Sequence, residues 1–372
     1  MKMLDDIKAY WDSVKKDYEN QYQVPFLSEF ETSKDYLEKM KSYLRSRQKD
    51  FPADVDVICT LASVELELRD GRDNCAKLLE TFLDSYGETL EDRQKARVYT
   101  NMAFYHDYSK EALVCLTKAK ALNSPFVETY TGLGLYHFAE YELDKDEKNS
   151  ALSRDYFKMA KNLANNYVCA FNYAISLYEL KDYESAKAIF LDLLKFYPNR
   201  MRLLLCLAYC ELYLGNQEKV ISYLAQVKPG QDERYTLDTD DIIEDEIFDM
   251  YYLLDEYDTF IRCYENVLDT YYTADWEHYF YALWLKNEKA LFAQLEEKNR
   301  TYFKKAIAEA KLDEDYESEA EKQEIIADWE KGERDFDQMM TRIKSGSPKP
   351  AMQLSLSPEY VCFMVDCVRH RF

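Results

Sequence analysis

The sequence predicts an all-α fold built as an elongated array of stacked helix pairs. Three observations carry that expectation. Gly and Pro number only 8 each in 372 residues, which leaves little material for hairpin turns. Leu, Ala, Glu, Lys and Tyr dominate, and most of these favour or tolerate helix. Finally, YVCAFNYAISLYELKDYESAKAIFLDLLKFYPNR, at 167–200, is followed by MRLLLCLAYCELYLGNQEKVISYLAQVKPG with small and apolar residues at the same offsets. A chain longer than the usual domain of ~100–200 residues is either two domains or one such array.

The first of these two stretches serves as template. Two helical segments meet at Lys181-Asp182, with Ala170, Tyr173, Ala174 and Leu177 in the first, Ala186, Phe190 and Leu193 in the second, and Pro198 after them. The pattern resembles the tetratricopeptide repeat, W-x2-L-G-x2-Y, then A-x3-F, then P, in 34 residues. The resemblance implies a right-handed α-solenoid of helix-turn-helix units, in which Ala174 and Ala186 occupy the small positions where paired helices touch.

Taken in order, 1–54 reads as an N-terminal helical cap made of DDIKAYWDSVKKDYENQ and SEFETSKDYLEKMKSYLRSRQ. Five repeats then fill 55–230. Ile58, Leu61 and Ala62 pair with Cys75, Leu79 and Phe82, and Tyr99, Met102 and Ala103 pair with Ala112, Leu116 and Ala119. Tyr130, Leu133 and Gly134 pair with Ser153, Phe157 and Ala160, and YELDKDEKNS between them reads as an inter-helix loop insertion. The template follows, and then Leu204, Leu207 and Ala208 pair with Val220 and Leu224.

In 231–345 an atypical repeat follows the insert KPGQDERYTLDTD. It carries Ile247, Phe248 and Tyr251, then Phe260, Tyr264 and Val267, with Phe at both small positions. Further helices are expected in WEHYFYALWLKNEKALFAQL and in the charged stretch up to Lys344. Terminal repeats depart from consensus because one face meets water. Residues 346–372 form a linker and C-terminal tail: Gly346, Pro348 and Pro350 mark turns, AMQLSL alternates like a strand, and YVCFMVDCV is a short apolar run suited to strand or helix.

A formal net charge of −22 repels phosphate backbones and anionic headgroups, so nucleic acid and membrane surfaces are disfavoured as partners and a basic one is favoured. With 47% hydrophobic residues the chain has ample core. The odd, scattered set of 9 cysteines and a charged start lead to the expectation of reduced thiols in a cytoplasmic protein. No run of 18 apolar residues is present.

Catalytic chemistry is hard to find, and no enzyme and no cofactor is expected. The run GLG at 132–134 is explained by helix contact, not by a phosphate loop. Of the four His, His106 and His137 fall at repeat positions and no nucleophile marks a dyad. Cys362, Cys367 and His370 make C-x4-C-x2-H, three zinc-type ligands whose fourth would come from elsewhere, such as Cys263 or His278. The apolar company of these thiols favours a buried segment, and no metal is expected. Cys206 and Cys210, one helical turn apart, read as core. The carboxylate runs LDTDDIIEDEIFD and LDEDYESEAEKQE lack the Gly of a calcium loop and read as solvated acidic faces.

In the tetratricopeptide family the first helices line a groove that holds a peptide or protein segment. By that resemblance the groove positions here include Phe104, Tyr108, Glu128, Phe138, Phe171, Tyr178, Glu179, Tyr209, Tyr213, Asp245 and Asp249. Such an aromatic and acidic lining suits Arg and Lys. The family's carboxylate clamp uses Lys and Asn, whereas the ninth positions here are Phe104, Leu135, Ile175, Tyr209 and Asp249, which disfavours a chaperone-tail adaptor. The cationic end RHRF at 369–372 is a candidate internal ligand of the same groove.

The leading functional expectation is a non-enzymatic scaffold that engages a basic protein or peptide, sequestering or neutralising it as an immunity protein neutralises a toxin. A peptide-pheromone-type sensor without a DNA-binding domain, and an enzyme with a site hidden in 270–372, are the alternatives.

Overall fold

The computed structural model describes residues 3–228, 242–265 and 276–372, and among these every regular element is helical. The helices are α1 (Met3–Tyr22), α2 (Phe30–Asp50), α3 (Val55–Glu67), α4 (Arg72–Tyr86), α5 (Asp92–Tyr105), α6 (Lys110–Ala121), α7 (Val127–Asp144), α8 (Glu147–Leu163), α9 (Tyr167–Glu179) and α10 (Tyr183–Phe196). After these come α11 (Met201–Tyr213), α12 (Gln217–Leu224), α13 (Glu244–Leu253), α14 (Tyr257–Glu265), α15 (Glu277–Leu285), α16 (Lys289–Leu312) and α17 (Glu319–Lys344). The chain divides into two compact units: one built on the first 198 residues together with 356–372, the other on the described residues between 199 and 355.

In the first unit each helix packs mainly on its sequence neighbours, and first helices also meet across repeats, α3 on α5 and α5 on α7. This is the tetratricopeptide-like arrangement, and its local causes are visible in the caps. Asp54, Ser109, Asn166 and Asp182 each accept a backbone N–H of the helix they start. The turn inside a pair uses a residue in the left-handed region, at Arg69, Asp107, Lys145 and Lys181 in this unit. The same device recurs in the second unit at Gly215, Asp255 and Asn287.

Packing follows the repeat register. Ala62, Ala103, Ala174 and Ala186 are all fully buried. Gly134 stands where a Cβ would come within 2.5 Å of the Phe157 ring, so the α7/α8 pair closes only on glycine. The second unit fills its core with larger groups. Phe248 meets Tyr264 edge-on at 5.5 Å, and Phe260 sits among Tyr252, Tyr264 and Tyr279, so two Phe at the small positions of α13/α14 are absorbed by an aromatic cluster. Val267, Pro229 and most of the insert KPGQDERYTLDTD lie outside the described residues.

Two sequence expectations are corrected. YELDKDEKNS is not a loop: α7 runs to Asp144, α8 starts at Glu147, and only Lys145 and Asp146 separate them. Tyr141 and Ser150 are buried within these extensions, so the extra residues lengthen both helices instead of bulging between them. The apolar run YVCFMVDCV is neither strand nor helix, and AMQLSL is not a strand. Residues 348–364 have no regular structure and 365–370 make turns, because their backbone groups bond to helix side chains instead of to a ladder.

Candidate functional site

The segment 356–372 lies along the first helices of the first unit, running from α9 back toward α1. Leu356 N–H donates to Glu179 Oε1 at 2.8 Å. Glu359 is held at both backbone groups by Asn172 on α9, its N–H donating to Oδ1 at 2.7 Å and its carbonyl accepting from Nδ2 at 3.0 Å. On α5, Asn101 Oδ1 accepts from Val365 N–H at 2.8 Å, and Nδ2 donates to Asp366 at 2.6 Å. On α3, Ser63 Oγ accepts from Val368 N–H at 3.0 Å. Phe363 meanwhile packs against Gly132 on α7, where a Cβ would approach its ring to 2.8 Å.

The register is one helix pair per few tail residues. Successive helices pack about 8–10 Å apart and an extended chain advances about 3.3 Å per residue, so roughly three residues bridge each step. Glu359, Phe363, Val365 and Val368 accordingly meet α9, α7, α5 and α3 in turn.

Charge is arranged along the same path. Arg97 forks onto both Asp366 oxygens and also reaches Asp56 at 2.6 Å. Burial opposes the Arg97 charge, but the bonds and field of Asp366 outweigh it and raise its pKa. Arg369 grips Glu67 through Nε at 3.1 Å and through a second nitrogen at 2.5 Å, and Arg371 lies 2.9 Å from Glu128. Burial raises the Glu128 carboxyl, with Arg371 pulling the other way; burial likewise raises Glu179, opposed by the Leu356 amide. Phe372 closes on Trp11 at 5.9 Å.

No family model and no curated protein matches the chain. Among solved structures it is similar to one titled "Functional Characterization of Pseudomonas Aeruginosa pilF", at 20% identity over 60% of this chain and 92% of that one, with a TM-score of 0.41. The fold assignment stands on the helix pairs themselves.

The residues picked from sequence fall into distinct places. Phe104 meets Phe363 at 5.4 Å, Tyr108 meets Tyr360 at 5.8 Å, and Glu128 and Glu179 bond the tail as described. Phe138, Phe171 and Tyr178 are buried among neighbouring rings, Phe171 between Tyr167 and Phe190. In the second unit Tyr213 accepts from Leu354 N–H at 2.8 Å, Tyr209 donates to the Glu246 carbonyl at 2.7 Å, and Asp249 accepts from Tyr264 at 2.6 Å. Asp245 is exposed on α13.

Sequence reasoning missed Asn101, Asn172, Arg97 and Ser63. A signal was present for the first two: Asn is a weak helix former, yet it stands two places before Ala103 and again two before Ala174, in otherwise apolar helices. Gly132 holds the same place before Gly134.

The cysteines separate into two kinds. Burial pushes the thiols of Cys75 up to about 12 and of Cys115 and Cys169 up to about 11, as expected of core residues. Cys367 is different: hydrogen bonding from Cys362 lowers it, outweighing burial, with His370 Nδ1 at 3.3 Å adding to the effect. Cys362 moves up in consequence. His278 turns Nε2 to the Ala351 carbonyl at 3.0 Å, and neither it nor Cys263 belongs to the Cys362, Cys367 and His370 group. Among the described residues, no helix is long and apolar enough to cross a membrane.

Proposed function

We propose that the chain is a non-enzymatic binding module whose first-helix face takes an extended segment of a basic protein or peptide, and that 356–372 is the resident occupant a partner displaces. One observation carries this reading: Asn172 and Asn101 hold the backbone of an extended segment from helix side chains, a grip that depends little on the sequence being held. The pairs of Arg369 with Glu67 and Arg371 with Glu128 support a cationic preference, as does the net charge of −22. Sequestration or neutralisation of a basic protein is the role that follows, since a solenoid face occupied along its length blocks the segment it holds.

The test uses the chain ended after Ser355 and a synthetic peptide of residues 356–372. Saturable binding that weakens with salt and with Asn101→Ala or Asn172→Ala supports the reading. A folded truncated chain that ignores the peptide would sink it. Affinity capture from native lysate with the truncated chain should then recover a basic protein that the peptide competes off. Recovery of only acidic proteins or nucleic acid would overturn the electrostatic part.

A further inference from the structure

The segment 362–370 gathers three metal-type donors that stand at most eight residues apart in the chain. His370 N–H donates to the Cys367 carbonyl at 3.3 Å and Arg371 N–H to the same carbonyl at 2.8 Å, which folds the imidazole back over the thiol. Cys362 Sγ, Cys367 Sγ and a His370 ring nitrogen all lie within 4.8 Å of one another, the one such His/Cys/Asp/Glu group found among the described residues. Ligands at about 2.3 Å for sulfur and 2.0–2.1 Å for nitrogen reach a shared ion from corners spaced this way.

We propose that Cys362, Cys367 and His370 bind a thiophilic divalent cation, zinc above all, with three protein ligands and a fourth position turned to solvent. Two thiolates and an imidazole select zinc over calcium or magnesium, which want hard oxygen ligands. Two thiolates also cancel the charge of the ion, so a half-buried site gains no net charge. Cys367 is buried, Cys362 partly so and His370 exposed, which sets the open position on the outer side. Closed structural sites use four protein ligands, so a water or a group from a partner completes this one.

The ion would also brace the tail. It ties Cys362 to His370 across Asp366 and Val368, the residues seated on Arg97, Asn101 and Ser63. Metal binding and docking of 356–372 therefore reinforce one another by linkage. The site is inferred from its own donors and stands whether or not the face binds a partner.

The full chain, reduced and stripped with chelator, is titrated with Co(II) and then Zn(II). One equivalent of cobalt should give the thiolate charge-transfer and tetrahedral ligand-field bands, and zinc should displace it. Alkylation mapped by mass spectrometry should show Cys362 and Cys367 protected when metal is present. Cys362→Ser and Cys367→Ser should each abolish the charge-transfer band or cut its intensity by half, and His370→Ala should weaken cobalt binding. Since Cys367→Ser removes a buried group, the partly exposed Cys362→Ser is the control for folding, checked by circular dichroism. Three results overturn the proposal: no cobalt signal from the reduced chain, a signal unchanged in the Cys362→Ser/Cys367→Ser double variant, or a Cys362–Cys367 disulfide in the isolated protein with no metal uptake after its reduction.

Discussion

Asn172 holds Glu359 by both ends of its side-chain amide, accepting from the Glu359 N–H at 2.7 Å and donating to its carbonyl at 3.0 Å. Both residues are buried, so these bonds satisfy backbone groups away from bulk water, and the Glu359 carbonyl also accepts from the Val361 N–H at 3.0 Å. Asn172→Ala strips both bonds at once. Losing a hydrogen-bond partner from a buried backbone group costs about 1–3 kcal/mol, so the tail should loosen while the helices persist. Hydrogen exchange is the measurement: amides between 356 and 368 should exchange faster in the variant, with the protection of α3 to α8 little changed. Equal loss of protection throughout the unit would mean that the tail is simply part of the core.

Arg97 and Asp366 make the second prediction. Their side chains are 15% and 5% exposed, so water does little for either ion when the other is removed, although Arg97 also holds Asp56. Arg97→Ala should cost about 3–5 kcal/mol by stranding the buried Asp366 carboxylate, and Asp366→Ala should cost less, because Arg97 keeps Asp56 at 2.6 Å. The double variant should cost less than the sum of the singles, because the Arg97–Asp366 interaction is lost only once and the buried Asp366 carboxylate is no longer there to be stranded. A double-mutant cycle by urea denaturation reads this directly, and additive losses would show the fork contributes nothing as a pair.

How much of this was legible beforehand depends on which force each residue answers to. The helix pairs could be read because burial imposes a period, and Ala62, Ala103, Ala174 and Phe157 repeat it with little noise. The extension of α7 and α8 was not legible, since charged residues such as those of DKDEK suit an exposed helix end as well as a loop. The tail was harder. Its apolar run is bounded by no helical or strand partner in sequence, and the groups that complete its hydrogen bonds, Asn172, Asn101 and Ser63, lie 187, 264 and 305 residues away. Aromatic residues drew attention instead, and several of these, such as Phe171 and Tyr178, spend their area on packing between helices. The Asn at a fixed repeat position was the better pointer, because a polar amide inside an apolar helix needs something to bond.

Gly132 and Gly134 offer a matched pair on one helix. A Cβ at Gly132 would meet the tail's Phe363 at 2.8 Å, whereas one at Gly134 would meet Phe157 of the partner helix at 2.5 Å. Both alanine variants overpack and should cost about 1–3 kcal/mol. Their signatures should differ. Gly132→Ala is expected to raise protease cleavage within 356–372 and to be relieved by Phe363→Leu, while Gly134→Ala is expected to separate α7 from α8 and to ignore that second change. If Phe363→Leu rescued both equally, Phe363 would be acting on the whole unit and not on its own seat.

The last prediction concerns pH and follows from Glu179. Burial raises its carboxyl above the ordinary value of 4.5, against the Leu356 N–H and Lys145, which lower it, while Glu142 adds to the rise. A carboxyl raised in the fold binds its proton more readily there than in the unfolded chain. Between 4.5 and the raised value the native state therefore holds more protons, and this group's contribution to stability falls as pH rises through that window. Glu179→Gln removes the titration and keeps an oxygen for Leu356 N–H. The stability of the variant minus that of the wild type should thus climb as pH is raised from about 4.5 and level off once Glu179 is ionised in both states. Urea midpoints taken at half-unit intervals from acid to neutral pH would show the climb. A difference that stays flat across the window would mean that Glu179 titrates alike in both states, and that its seat at the start of the tail is wetter than its burial indicates.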